Sequence, residues 1–166
     1  MQINKPENTL QNISVGSKEI NAARVAFFLP GFVISTWAPM IPMVKARLGL
    51  EADVLGLLLL CIGISAFIFM PLAGALVQRF GCKKVVITGS TLMALISVLL
   101  SFLPNIWSYA IALAFFGAVM GATDVSMNTN AVIVEKLACR RLLSGMHAFW
   151  SIGCFASAGL FSVLAS

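Results

Sequence analysis

Long apolar runs joined by short polar connections dominate the chain. They cover about 22–44, 54–77, 85–103, 106–134 and 142–165, and a helix needs roughly 20 such residues to cross about 30 Å of hydrocarbon. Residues 55–64 and 85–103 show no polar face, which a helix of a soluble bundle would need. Nor does any stretch alternate apolar and polar positions over about ten residues, as a membrane β-strand does. The pattern predicts an all-α, polytopic membrane protein. A polar tail over 1–21 precedes a transmembrane domain over 22–166, and the tail lacks the short apolar core and small-residue cleavage site of a signal peptide.

Composition agrees with this reading. The chain of 166 residues is 60% hydrophobic and 10% charged, against roughly 45–50% and about 25% in soluble domains. The net charge of +5 does not mark a nucleic-acid binder, because the basic residues are scattered through short loops with no basic face or interleaved aromatics. They orient the chain instead. Lys5, Lys18, Arg24, Arg79, Lys83, Lys84, Lys136, Arg140 and Arg141 fall on one side and Lys45 and Arg47 on the other, which places the N-terminus and the loops near 79–84 and 135–141 in the cytoplasm. Cys61, Cys82, Cys139 and Cys154 have no metal-site or redox spacing and are expected as free thiols.

The run 106–134 is interrupted by Asp124-Val125-Ser126-Met127-Asn128-Thr129-Asn130. Asp124 is the acidic residue inside the apolar runs, where a carboxyl costs about 2.5–3.5 kcal/mol on insertion scales and faces protein or a wet cavity. Three readings stand side by side. Asp124 is a protonatable group, neutral when closed off and ionised when water reaches it, since desolvation disfavours charge; or it is a hydrogen-bond partner for a polyol; or it is a buried acid satisfied by neighbouring helices. Asn128 shares its face by i,i+4 spacing, as Ser151 shares that of His147. At about 1.5 Å per residue, Asp124 lies about 15 Å and Asn128 about 9 Å from the end of their run, while Ser151 and His147 reach about 13–14 Å and 7–8 Å into theirs. If the two helices are neighbours, as their short connection suggests, Asn128 meets His147 and Asp124 meets Ser151.

Other features carry two readings each. Trp37 lies about 20 Å into the first run, where it either stacks on a sugar ring or packs in the core. Pro39 and Pro42 free backbone carbonyls and mark a bend. His147 is the single histidine, which excludes a histidine-based metal cluster and leaves it interfacial or functional. Gly117 and Gly121 form a GxxxG, a packing signal between membrane helices. No GxSxG, phosphate loop or paired carboxylates are present, and His147 has no matching nucleophile; neither an enzyme nor a cofactor is expected.

Between the second and third runs stands Gly74-Ala75-Leu76-Val77-Gln78-Arg79-Phe80-Gly81-Cys82-Lys83-Lys84. Gly74 permits close helix approach, Gly81 a tight turn, and the cations anchor the loop. The stretch resembles the cytoplasmic loop signature of the major facilitator superfamily, with Gly74, Arg79, Gly81 and Lys83 matching. Gln78 replaces the usual aspartate and Cys82 a usual basic residue; glutamine hydrogen-bonds without charge. Residues 37–42, 124–128 and 144–153 further resemble the fucose-permease-like and related sugar-permease-like branch, which tends to pair an acidic residue with Asn four residues later, as Asp124 and Asn128 do.

The resemblance implies the first five helices of a six-helix half, with helices one and four lining a central cavity that an opposing half completes. It implies alternating access to a small solute, coupled to a proton in the sugar-permease branch. Asp124 would take the proton or bind substrate, Asn128 and Trp37 would contact substrate, and Gly74, Gln78, Arg79, Gly81 and Lys83 would shape the gating loop. With the second half missing, the chain by itself is expected to be inactive. The competing reading is a non-transporting fragment or accessory module packing through Gly117 and Gly121.

Overall fold

The computed structural model describes residues 16–164; Lys5, most of the 1–21 tail and Ala165 lie outside the described residues. The described residues form α1 (Ser17–Trp37), α2 (Ile41–Leu48), α3 (Ala52–Phe80), α4 (Cys82–Leu100), α5 (Ile106–Ala138) and α6 (Leu143–Leu164). A 3-10 turn at Ala38–Met40 joins α1 to α2 into a single span, so that 5 segments are long and apolar enough to cross a membrane. No strand occurs among the described residues.

Backbone chemistry sets these boundaries. Pro39 and Pro42 have no N–H to continue the helical ladder, and Thr36 Oγ1 donates to Val33 O at 2.6 Å just before the turn. α2 ends at Gly49, whose φ of 62° is readily adopted without a Cβ. Three helices outrun their apolar stretches. α1 begins at Ser17, α3 continues to Phe80 and α5 to Ala138, because charged residues such as Arg79, Glu135 and Lys136 are compatible with helix outside hydrocarbon. α3 and α5 end where φ becomes positive, at Gly81 (81°) and Cys139 (51°). At 29 residues, α3 is about 44 Å long, enough to cross at a tilt and project beyond the core.

Two helix pairs make the bundle. α5 packs against α3 along one flank and α4 along another, α6 packs against α1, and α1 touches both α4 and α5. Without water to drive helices together in a bilayer, close packing of small residues matters most. A Cβ at Gly121 would lie 2.6 Å from Ala66 O, and Gly117 lies against Ile62 O and Ser65 Oγ. Gly31 abuts the Trp150 backbone and Gly153 abuts Phe28 O in the same way.

This arrangement corrects the expectation that the helices of Asp124 and His147 are packed neighbours. α5 and α6 share a short connection but little contact, and α6 lies along α1. The reason is steric: glycines face each other's backbone across the α1–α6 interface, whereas nothing comparable joins α5 to α6. A second correction concerns Gly74. A Cβ there would meet nothing within 4 Å, so no described helix makes the close approach expected at that glycine, while Gly81 does make the turn.

Two apolar clusters lie at different depths. One gathers Trp37, Val44, Leu58, Met93, Leu100, Tyr109, Leu113 and Phe116; the other gathers Ile20, Ala23, Phe27, Val86, Met127, Ala131, Val134 and Met146. Outward-facing side chains are also apolar, with Phe67 77% and Phe155 80% exposed, as suits a surface against hydrocarbon. Both ends are tied by backbone groups that helices leave free. Arg47 donates to the terminal carbonyls Leu100 O, at 3.2 Å, and Ser101 O. At the opposite end Glu135 Oε2 accepts from Leu142 N at 2.6 Å and Leu143 N at 2.8 Å. Glu135→Ala is expected to raise hydrogen exchange at the Leu142 and Leu143 amides while leaving mid-α5 amides protected; unchanged exchange at both would show that the carboxylate does not hold this terminus.

Candidate functional site

Asp124 lies near the middle of α5, and most polar groups around it are spent on their own helix. Thr123 Oγ1 donates to Val119 O at 2.8 Å, Ser126 Oγ to Ala122 O at 2.6 Å and Thr129 Oγ1 to Val125 O at 2.7 Å. This back-bonding satisfies hydroxyls in an apolar environment. Asn128 Nδ2 also turns back, donating to Asp124 O at 2.9 Å and, more loosely, to Asp124 Oδ1 at 3.4 Å. The Asp124 carboxylate is left with acceptor capacity that its own helix does not fill.

That carboxylate borders a cavity of about 240 Å³. Pro30 and Ile34 of α1, Met70 of α3, Met93 of α4, Trp150 of α6, and Met120, Gly121, Thr123 and Met127 of α5 complete its lining. No cation is among them. The lining is apolar and polarisable apart from Asp124 and Thr123, and the Thr123 hydroxyl is already engaged. The cavity therefore presents a single carboxylate at mid-bundle depth between flexible thioethers and an indole face.

The other sequence-selected residues are distributed around it. Asn128 is joined to Asp124 by the bonds above. Trp37 is 8% exposed, packs on Phe116 at 6.4 Å between ring centroids and donates from Nε1 to Tyr109 Oη at 3.1 Å. This places it in an apolar cluster and not in the Asp124 cavity. His147 meets Phe27 edge-on at 5.0 Å, and Ser151 Oγ donates to His147 O at 3.3 Å. The expected Asn128–His147 and Asp124–Ser151 hydrogen bonds are replaced by these intrahelical bonds because α1 takes the place beside α6. In the loop, Gln78, Arg79 and Lys83 are exposed, and the Arg79 guanidinium lies 5.4 Å from the Phe80 ring centroid.

Trp150 was not singled out from the sequence, although it lies three residues beyond His147. Its signal was the facing glycine: Gly31 brings α1 onto the Trp150 backbone and so turns α6 toward the cavity. Met70 and Met120 had no sequence signal, since methionine in an apolar run is ordinary core material.

A tilted bundle of apolar helices with small-residue crossings and one carboxylate beside a mid-depth cavity defines a polytopic membrane protein with a buried polar site. Residues 25–166 match the sequence profile of the Major Facilitator Superfamily, and the chain belongs to that family. An uncharacterised MFS-type transporter of Yersinia pestis is 43% identical over 154 residues, covering 93% of this chain and 40% of the relative. The membrane protein MosC of Rhizobium meliloti is 31% identical over 167 residues, covering 96% and 41%. The multidrug resistance protein MdtG of a Rahnella species is 26% identical over 152 residues, covering 89% and 35%. The chain thus spans about two-fifths of the length of the first curated relatives it matches. No solved structure matches it.

Proposed function

We propose that this chain supplies half of an alternating-access pathway for a small solute, with Asp124 as the proton-carrying group. The carrying observation is the unneutralised carboxylate in the cavity between α1, α3, α5 and α6. A charge there is costly when the cavity is dry, so proton binding accompanies closure and proton release accompanies wetting. An opposing half, accommodated in the greater length of the relatives, closes the cavity from the other side; without it the chain alone moves no solute. The lysine and arginine asymmetry favours a cytoplasmic location for the basic end, and bacterial relatives favour the inner membrane.

For the solute class, a sugar or related polar metabolite is favoured by the Asp124 carboxylate as an acceptor for hydroxyls, held beside Asn128 on the same helix, and by Trp150 in the cavity lining, whose ring suits stacking on a sugar face. In this reading the exposed His147 and Ser151 of α6 serve solute entry, Trp37 supports the α1 bend through Tyr109, and Gly74, Gln78, Arg79, Gly81 and Lys83 shape the α3–α4 turn during exchange of access. A second reading is favoured by Met70, Met93, Met120 and Met127: a lipophilic cation suits thioethers around one carboxylate, and a relative carries a multidrug resistance name.

Uptake by the longer protein in proteoliposomes, driven by a pH gradient and screened over hexoses and lipophilic amines, tests both readings. Accumulation of a hexose that falls about tenfold or more when Trp150 becomes Ala supports the first. Accumulation of amines alone favours the second, and accumulation of neither contradicts the transport reading.

A further inference from the structure

A second cavity lies on a different flank of α5, between α3, α4 and α5. It has a volume of about 370 Å³ and walls formed by Leu76, Phe80, Val85, Leu92 and Val119. Its origin is local. α3 and α4 are joined through Gly81 yet hardly pack on each other, while Gly89 brings α4 close onto Thr123 of α5, so the open space lies between α3 and α4 over α5. Lys84 lines the same cavity, and Arg79 lies over the Phe80 ring at 5.4 Å. Both cations thus stand at the basic end of the groove, and no carboxylate lines it.

This combination excludes a small polar ligand. Apart from Lys84, the lining offers only the hydroxyls of Thr88 and Thr123, the latter donating to Val119 O; a polar solute would lose its water without replacement. It suits an amphiphile with an apolar tail and an anionic head. Within a bilayer, an outward-facing groove with cations at headgroup level is next to phospholipid, and basic pockets between helices bind anionic headgroups. We propose that the α3–α4–α5 groove is a binding site for an anionic phospholipid, one acyl chain lying along Leu76, Val85 and Leu92 and the phosphate held by Lys84 and Arg79. The groove shares the Thr123 wall with the Asp124 cavity but not its carboxylate, and it does not depend on the role of Asp124.

The test uses the protein in its own membrane and after mild extraction. Native mass spectrometry after equilibration with phosphatidylglycerol and phosphatidylcholine in equal amounts is expected to show preferential retention of phosphatidylglycerol. Lys84→Ala is expected to lower that preference about fivefold and Lys84→Ala with Arg79→Ala about thirtyfold. Thr88→Trp, which fills the groove and leaves both cations, is expected to remove retention while folded yield, and solute uptake by the longer protein carrying the same substitution, persist. A photoreactive group placed at position 88 is expected to label phospholipid. Equal retention of both lipids, or a preference that survives all three substitutions, would overturn the proposal. Labelling of a protein segment in place of lipid would also overturn it and assign the groove to a helix contact.

Discussion

Asp124→Asn is expected to collapse gradient-driven accumulation to equilibration while leaving solute exchange across the membrane intact. One pH unit is worth about 1.4 kcal/mol per proton, so coupling of one proton to one solute supports about a tenfold solute gradient. Asparagine has nearly the shape of aspartate and still accepts and donates hydrogen bonds, but its amide does not titrate near neutral pH. The accumulation ratio therefore falls from about ten to about one per pH unit, whereas counterflow of labelled solute continues. The Asn128 bond to the Asp124 backbone, at 2.9 Å, is retained in the variant, so loss of both activities together would point to a structural role for the carboxylate.

Gly153→Leu is expected to have the largest effect on stability. The new side chain would be driven into the Phe28 carbonyl, and Phe28 belongs to the helix that provides most of α6's packing. Overpacking costs typically about 1–3 kcal/mol and more when the obstruction cannot move; backbone of α1 cannot move without carrying Gly31 away from Trp150. A loss of about 3 kcal/mol or more is expected in equilibrium unfolding in mixed micelles. Gly159→Leu and Gly63→Leu, where a Cβ meets nothing within 4 Å, should stay within about 0.5 kcal/mol of the parent. Similar losses at all three positions would mean that helix approach at Gly153 is not what holds α6.

The glycines also show what was readable in the chain and what was not. Five apolar stretches, the bend at Pro39 and Pro42, the turn at Gly81 and the packing role of Gly117 and Gly121 follow from local chemistry, which acts through the residues themselves. Gly31 and Gly153 escape notice because their meaning is relational: Gly31 is the one glycine of α1 and Gly153 one of three on α6, and only their opposition across α1 and α6 makes a crossing. The partners of Asp124 failed to follow for the same cause. Depth along a helix can be counted from the sequence, but which helix lies alongside depends on the steric fit of distant residues. A short α5–α6 loop limits separation without choosing a neighbour. Trp37 had two readings that only its environment distinguishes, and Tyr109 and Phe116 place it among packed aromatics. Trp150 gained its place in the cavity from Gly31, a residue well over a hundred positions away.

The central claim is that the Asp124 carboxylate carries a proton as solute moves, and solute-induced proton flux measures this most directly. With the longer protein in vesicles under no imposed gradient, adding the transported solute outside is expected to alkalinise the external medium, with about one proton per solute taken up. The Asp124→Asn protein should bind and exchange the same solute without any pH change. A proton signal of parental size in that variant would contradict the account and place the proton elsewhere.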